Sequence, residues 1–190
     1  MISAERRVLI IVLACTIMGL PGTSSADFNV HHVQTRLSAQ ALEVSAKMDL
    51  RLSNKAAAAL AKGIPLSVVI NIALLEHRSI LWDRTIATRD LHRTLQFHAL
   101  SNEYLVGGSE LGSDEYENFL SLDEALHFLG RIDDLRLPLG KTALDADQDY
   151  HVRVRVYLDI GSLPFPLRPM AYTSPSWHLN SGWTTWSVQR

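Results

Sequence analysis

Apolar and polar residues alternate with period two along much of this chain. In "ALEVSAKMDLR", Leu42, Val44, Ala46, Met48 and Leu50 alternate with Glu43, Ser45, Lys47, Asp49 and Arg51. In "YHVRVRVYLD", Val152, Val154, Val156 and Leu158 alternate with His151, Arg153, Arg155, Tyr157 and Asp159. A strand with one face in a core and the other in water requires this pattern. Residues 28–51 read as two strands joined by a tight turn near Ser38 to Gln40. Residues 66–78 are apolar on both faces at their middle, which suits a central strand. A second strand carrying Ile80, Trp82 and Ile86 follows. A third points Arg93, Leu95, Phe97 and Ala99 one way and His92, Thr94, Gln96 and His98 the other.

The pattern changes twice. "SNKAAAALAKG" reads as a short helix: Ser53 caps it, four alanines lose no side-chain entropy, and Gly63 ends it. "SLDEALHFLG" reads as another, with Ser121 and Glu124 spaced as a capping box and Leu122, Leu126 and Leu129 on one face. "YLVGG" and "RIDDLRLPL" read as further strands, and "GGSELGSDEYEN" as a polar connection. Near the end, Pro164, Pro166 and Pro169 lack the amide hydrogen, so "GSLPFPLRP" must bulge or run extended along a sheet edge. The tail gives "SWHL", a Gly-containing turn at "NSG", and "WTTWSV", with Trp183 and Trp186 at opposite parity. Eight to ten strands and two short helices predict a mainly β (α+β) fold, an antiparallel β-sandwich-like domain. The helices and the uneven strand pattern argue against a transmembrane barrel.

The beginning of the chain has a different character. Arg6 and Arg7 precede an apolar run over residues 8–20, then Pro21 and Gly22, then Ser24 and Ala26 at positions −3 and −1 of a cut before Asp27. That is the layout of a secretory signal peptide, and the run is shorter than the roughly 20 residues a membrane-spanning helix needs. Residues 1–26 are therefore expected to be a signal peptide and residues 27–190 a single β-rich periplasmic domain. The alternative is an uncleaved inner-membrane anchor. Cys15 is the only cysteine. It makes a poor lipidation site, with bulky Leu13 close before it, and cleavage before Asp27 would discard it.

Charge removes one class of partner. The formal net charge is −2, with no basic excess of the kind nucleic acid binding needs. Residues 103–149 hold 12 acidic side chains against 3 basic ones, while the rest of the chain after residue 26 is net positive. Such asymmetry can guide a partner.

Candidate chemistry is sparse. His31 and His32 are adjacent and point opposite ways on a strand, and His92 and His98 lie too far apart for one ion. No metal-ligand spacing, nucleophile elbow or phosphate-binding glycine loop is present, so no metal, cofactor or catalytic residue is assigned. The paired acids Asp114/Glu115 and Asp133/Asp134 lie in polar or helix-flanking stretches. The best candidates for partner binding are Arg168, Tyr172, Trp177, Trp183 and Trp186. Tryptophan combines a flat apolar surface with a polar handle, and Arg168 can donate in a fork. The same tryptophans could instead close the core.

Several pieces, taken in order, resemble a known family: "NKAAAALAKGIPLSVVINIAL" with "RSILWDR", then "FHALSNEYLV", "SLDEALHFLG" and "RVRVYLDIGSLPFPLRPMAYTSPSWHLNSGWTTW". Together they are similar to the exported proteobacterial family known as domain of unknown function 4390. The resemblance implies a signal-bearing periplasmic protein of a Gram-negative bacterium and brings no activity, substrate or catalytic residue. The expected function is non-catalytic binding or scaffolding in the envelope, with a protein, glycan or lipid partner and no nucleic acid. Membrane contact is expected only if the N-terminal segment is retained. An envelope hydrolase with a dispersed site and a tethered structural domain are the alternatives. Intact-mass measurement of the protein recovered from the envelope should give a chain beginning at Asp27; a mass retaining residues 1–26 would identify the tethered form.

Overall fold

The computed structural model describes residues 27–38, 40–78, 82–110, 115–139, 144–145 and 148–188. The expected signal segment lies outside the described residues, as do Ile80 and Asp114. Strand β1 (Phe28–Leu37) turns back into β2 (Ala41–Leu50). The Ser38 hydroxyl donates to the Ala41 carbonyl at 2.8 Å and accepts from the Ala41 N–H at 3.2 Å, which closes the turn. Helix α1 (Asn54–Ala61) follows, with the Ser53 hydroxyl accepting from Ala56 N–H as a cap. Gly63, at φ 80°, takes the left-handed turn that releases the chain from the helix.

Strands β3 (Leu66–Glu76), β4 (Arg84–His98), β5 (Glu103–Gly108) and β6 (Tyr116–Phe119) run in succession. Helix α2 (Leu122–Leu129) leads into β7 (Arg131–Pro138). Then come β8 (Tyr150–Leu158), helix α3 (Arg168–Thr173) flanked by short 3-10 turns, and β9 (Thr184–Ser187). One sheet has the order β1-β2-β7 and the other β6-β5-β4-β3-β8-β9, every pairing antiparallel. Helix α1 carries the chain from the first sheet to the second.

The alternation read from sequence decides which faces meet. Leu42, Val44, Ala46, Met48 and Leu50 of β2 are buried, as are Ile70, Ile72 and Leu74 of β3 and Val152, Val154 and Val156 of β8. They belong to one apolar core that reaches from Phe28 to Leu179. Strand β1 packs against β8 and β9, β7 against β4, and α2 against β2, β4, β5 and β6.

Arg93 joins these layers. It lies on β4 opposite Val68, on the core-facing side, and its side chain is 12 % exposed. Its Nη1 donates to the carbonyls of Leu129 at 2.7 Å and Arg131 at 2.6 Å. Its Nε and Nη2 donate to Glu110 Oε1 at 3.1 and 2.8 Å. A cation is thus placed where the last carbonyls of α2 carry partial negative charge. Beside it, Met48 N–H donates to the Gly130 carbonyl at 2.8 Å. A Cβ at residue 130 would come 2.5 Å from the Met48 carbonyl oxygen, so only glycine fits that approach.

Three expectations need correction. There are three helices among the described residues, not two. The third is α3, in the proline-rich stretch expected to be extended or bulged. Pro164 is the N-cap of the 3-10 turn before it, and Pro166 and Pro169 stand at the second positions of that turn and of α3, where a missing N–H costs no hydrogen bond. The two strands expected between residues 80 and 99 are one strand, β4. A bulge leaves Ile86 unpaired between Thr85 and Ala87, and that extra residue breaks the alternation. Trp82 precedes the strand and is exposed. Finally, residues 116–118, expected as the end of a polar connection, belong to β6. Asp133 and Asp134 are accounted for structurally. Asp133 pairs with Arg131, and Asp134 bonds with the Ser45 hydroxyl across a bulge at φ 45°.

Replacing Arg93 with alanine strands the Glu110 carboxylate and the carbonyls of Leu129 and Arg131. Urea denaturation should show a loss of about 2–4 kcal/mol. Arg93→Lys should recover only part of it, since one ammonium cannot reproduce the fork.

Candidate functional site

The outward face of the six-stranded sheet is polar and carries the densest set of unusual contacts. Strand β8 turns His151, Arg153, Arg155 and Tyr157 outward for the same reason that its valines turn inward. The β3–β8 register sets Asn71 beside Arg155, and the β3–β4 register sets Asp90 on the other side of Asn71. Arg155 Nη2 donates to Asn71 Oδ1 at 2.8 Å, and Asn71 Nδ2 donates to Asp90 Oδ1 at 2.6 Å. One amide therefore links a cation and an anion across three strands.

Trp183 lies over this row. The guanidinium carbons of Arg153 and Arg155 are 5.0 and 4.8 Å from its ring centroid, and Arg155 is also 4.7 Å from the Tyr157 ring. The indole remains 42 % exposed. Neither arginine forms an ion pair among the described residues. Two cations are held in place by aromatic rings and an amide, with no carboxylate paired to either among the described residues.

The row continues toward the β3–β4 connection. His151 Nε2 lies 3.1 Å from Asp83 Oδ2, and His77 Nδ1 lies 3.2 Å from Asp83 Oδ1. Burial raises the Asp83 carboxyl. The His77 hydrogen bond, the charges of His151 and His77 and a backbone bond from Arg78 outweigh it, so Asp83 titrates below the usual aspartate range. Beside this cluster is an open groove of about 720 Å³ whose lining includes His77, Tyr150, His151, Thr185, Ser187 and Val188. Ser187 pairs with His151 across β8–β9, but no hydrogen bond joins the two side chains among the described residues. Among the described residues, no group of three histidine, cysteine, aspartate or glutamate side chains is arranged to hold a metal ion.

The five residues singled out from sequence go to different places. Trp177 is 2 % exposed and packs in the core, its Nε1 without a partner among the described residues. Trp186 is half-buried on the inward face and donates to Thr184 Oγ1 at 3.0 Å. Trp183 faces outward over the arginines. Arg168 Nε donates to the Leu163 carbonyl at 2.6 Å and braces its own loop. Tyr172 is exposed on α3. Sequence reasoning missed Arg153, Arg155 and the Asp83–His151 pair. The outward parity of both arginines was readable; the β8–β9 register that brings Trp183 onto them was not.

A model of the family described as domain of unknown function (DUF4390) matches residues 25–187. The chain belongs to this family. No curated protein and no solved structure matches it. The DUF4390 match spans every strand from β1 to β9, so the arginine–tryptophan row and the Asp83 cluster both lie within it.

The two tryptophans should respond differently to truncation. Trp177→Ala should cost about 3–5 kcal/mol as a core cavity, and Trp183→Ala about 1–2 kcal/mol through its two cation–π contacts. Urea denaturation of both variants checks this; equal losses would contradict the opposite orientations.

Proposed function

We propose that this protein is a non-catalytic binding or scaffolding protein of the Gram-negative envelope. It is exported to the periplasm and packed as a β-sandwich, with the outward face of its six-stranded sheet as the binding surface. The observation that carries this reading is the pair Arg153 and Arg155, held beneath a half-exposed Trp183 with no carboxylate partner among the described residues. Desolvated guanidinium groups bind a carboxylate or phosphate through forked, charge-assisted hydrogen bonds. The free area of the indole adds apolar contact beside them. The partner therefore presents an anionic group next to a flat or apolar one.

One observation favours a hydrolase instead. His151 is paired with Asp83 and stands opposite Ser187. Acyl transfer by that route requires the serine hydroxyl to donate to the imidazole.

A photocrosslinker at exposed Thr185, beside Arg153 in the β8–β9 register, tests the reading in intact cells. The recovered species should carry a carboxylate or phosphate. Its yield should fall at least about tenfold in Arg153→Ala/Arg155→Ala, the effect of losing one or two charge-assisted bonds. An unchanged yield from a folded double variant would reject this face as the binding surface.

A further inference from the structure

Strand β6 is one edge of the six-stranded sheet and β9 is the other. The two edges differ. At the β9 edge, β1 packs against the strand, and the Thr35 hydroxyl donates to the Ser187 carbonyl at 3.4 Å. Strand β6 pairs with β5 and packs on α2, and its other side makes no backbone hydrogen bond among the described residues. On an antiparallel edge strand, alternate residues aim their N–H and C=O groups away from the sheet. Such groups can pair with another extended chain.

Register fixes what this edge presents on each face. Glu117 stands opposite Val106, and Phe119 stands opposite Tyr104. Val106 is buried, so Glu117 and Phe119 lie on the inward side of the sheet, with Tyr116 and Asn118 on the outward side. The Phe119 ring meets the Phe128 ring of α2, with 5.1 Å between centroids. Beside that pair is an open groove of about 740 Å³, whose lining includes Phe119, Leu120, Asp123, Glu124, His127 and Phe128. Glu124 and Phe128 are one helical turn apart, so the groove follows one side of α2. Leu120 is 80 % exposed.

Charge selects what fits there. Glu117, Asp123 and Glu124 are exposed and form no ion pair among the described residues. The basic groups of the lining are His127 and Arg131, and Arg131 is paired with Asp133. An inward-pointing charge on an edge strand opposes pairing with an apolar strand. It also opposes a second copy, because two β6 edges would bring like charges together. A strand carrying the opposite charge meets neither obstacle.

We propose that β6 and α2 form a docking groove for an extended basic segment of a partner protein, which adds a strand to the sheet at β6. On the inward side of that segment, one apolar side chain lies over Phe119 and Phe128. A lysine or arginine two residues away meets Glu117, and another on the far side of the apolar residue meets Asp123 or Glu124. Spacing of two is the strand period. This surface is at the opposite end of the sheet from the arginine–tryptophan face and depends on no property of that face.

Hydrogen exchange of the full chain with synthetic peptides tests this. The probe is acetyl-Ser-Lys-Ser-X-Ser-Lys-Ser-amide, with phenylalanine, leucine or isoleucine at X. With peptide at about ten times its Kd, at least one of the three should slow the outward-directed amides of residues 116–119 about tenfold. Glutamate in place of both lysines should weaken binding at least about tenfold, as should Glu117→Lys/Glu124→Lys with unchanged circular dichroism, the effect of losing two exposed ion pairs. In two further peptides, N-methylation falls either on the serine amides or on the lysine and X amides. One of these should lose the slowing, since one set of amides faces β6. The proposal is overturned by no slowing at residues 116–119 with any of the three peptides, by equal binding of the glutamate peptide, or by slowing that survives both N-methylated forms. Slowing that rises with protein concentration in the absence of peptide would also overturn it and assign the edge to a second copy.

Discussion

A single guanidinium holds the two sheets in register. Arg93 sits on the core-facing side of β4, where an unpaired charge would cost several kcal/mol. The cost is offset because its donors are used in two directions, to Glu110 and to the carbonyls where α2 passes into β7. Those carbonyls belong to the segment that also bonds β2 through Gly130 and Met48. Sliding one sheet over the other would break a charge-assisted set and a backbone bond together. Apolar packing alone is non-directional and would resist sliding less. The polar outer surface can then be rigid without contributing to the core.

That outer surface differs from an ordinary solvated sheet face in how its charges are held. Arg153 and Arg155 could extend into water, where each would be fully hydrated. Instead they lie against Trp183 and Tyr157, and Arg155 is fixed by Asn71. Loss of rotamer freedom is paid in advance of binding, which lowers the cost of capturing an anion. Asp90 is kept one amide away from Arg155, close enough to orient Asn71 and without a direct pair to the guanidinium. At the far end Asp83 has the opposite arrangement, one carboxylate shared by two imidazoles. Among the described residues, the face thus has a cationic middle without ion pairs and a paired end.

The three C-terminal tryptophans show how little residue type decides. Trp177 ends a 3-10 turn and its ring is buried. Trp186 lies inward on β9, and Trp183, three residues earlier, lies outward. The prolines before them behave alike in one respect: each removes an amide hydrogen where a short helix has no acceptor for it. A sheet edge has the same tolerance for proline. The extended reading and the helical one were therefore equally compatible with the missing hydrogens, and burial of Leu163 and Ala171 decided between them.

The sequence by itself determined every strongly periodic element. The alternation in β2 and β8 settled which side chains enter the core, and the capping serines Ser53 and Ser121 placed the starts of α1 and α2. These are local properties, carried by side-chain spacing and by hydrogen bonds within three residues. Only the tertiary structure decided the rest. The formation of α3 depends on the burial of Leu163 and Ala171, and the bulge at Ile86 and the meeting of Trp183 with Arg153 and Arg155 depend on which strand pairs with which and in what register. Register is set by contacts between residues far apart along the chain, such as Arg153 with Thr185 and Arg93 with Arg131. No short stretch contains both partners, so no short stretch can specify the meeting.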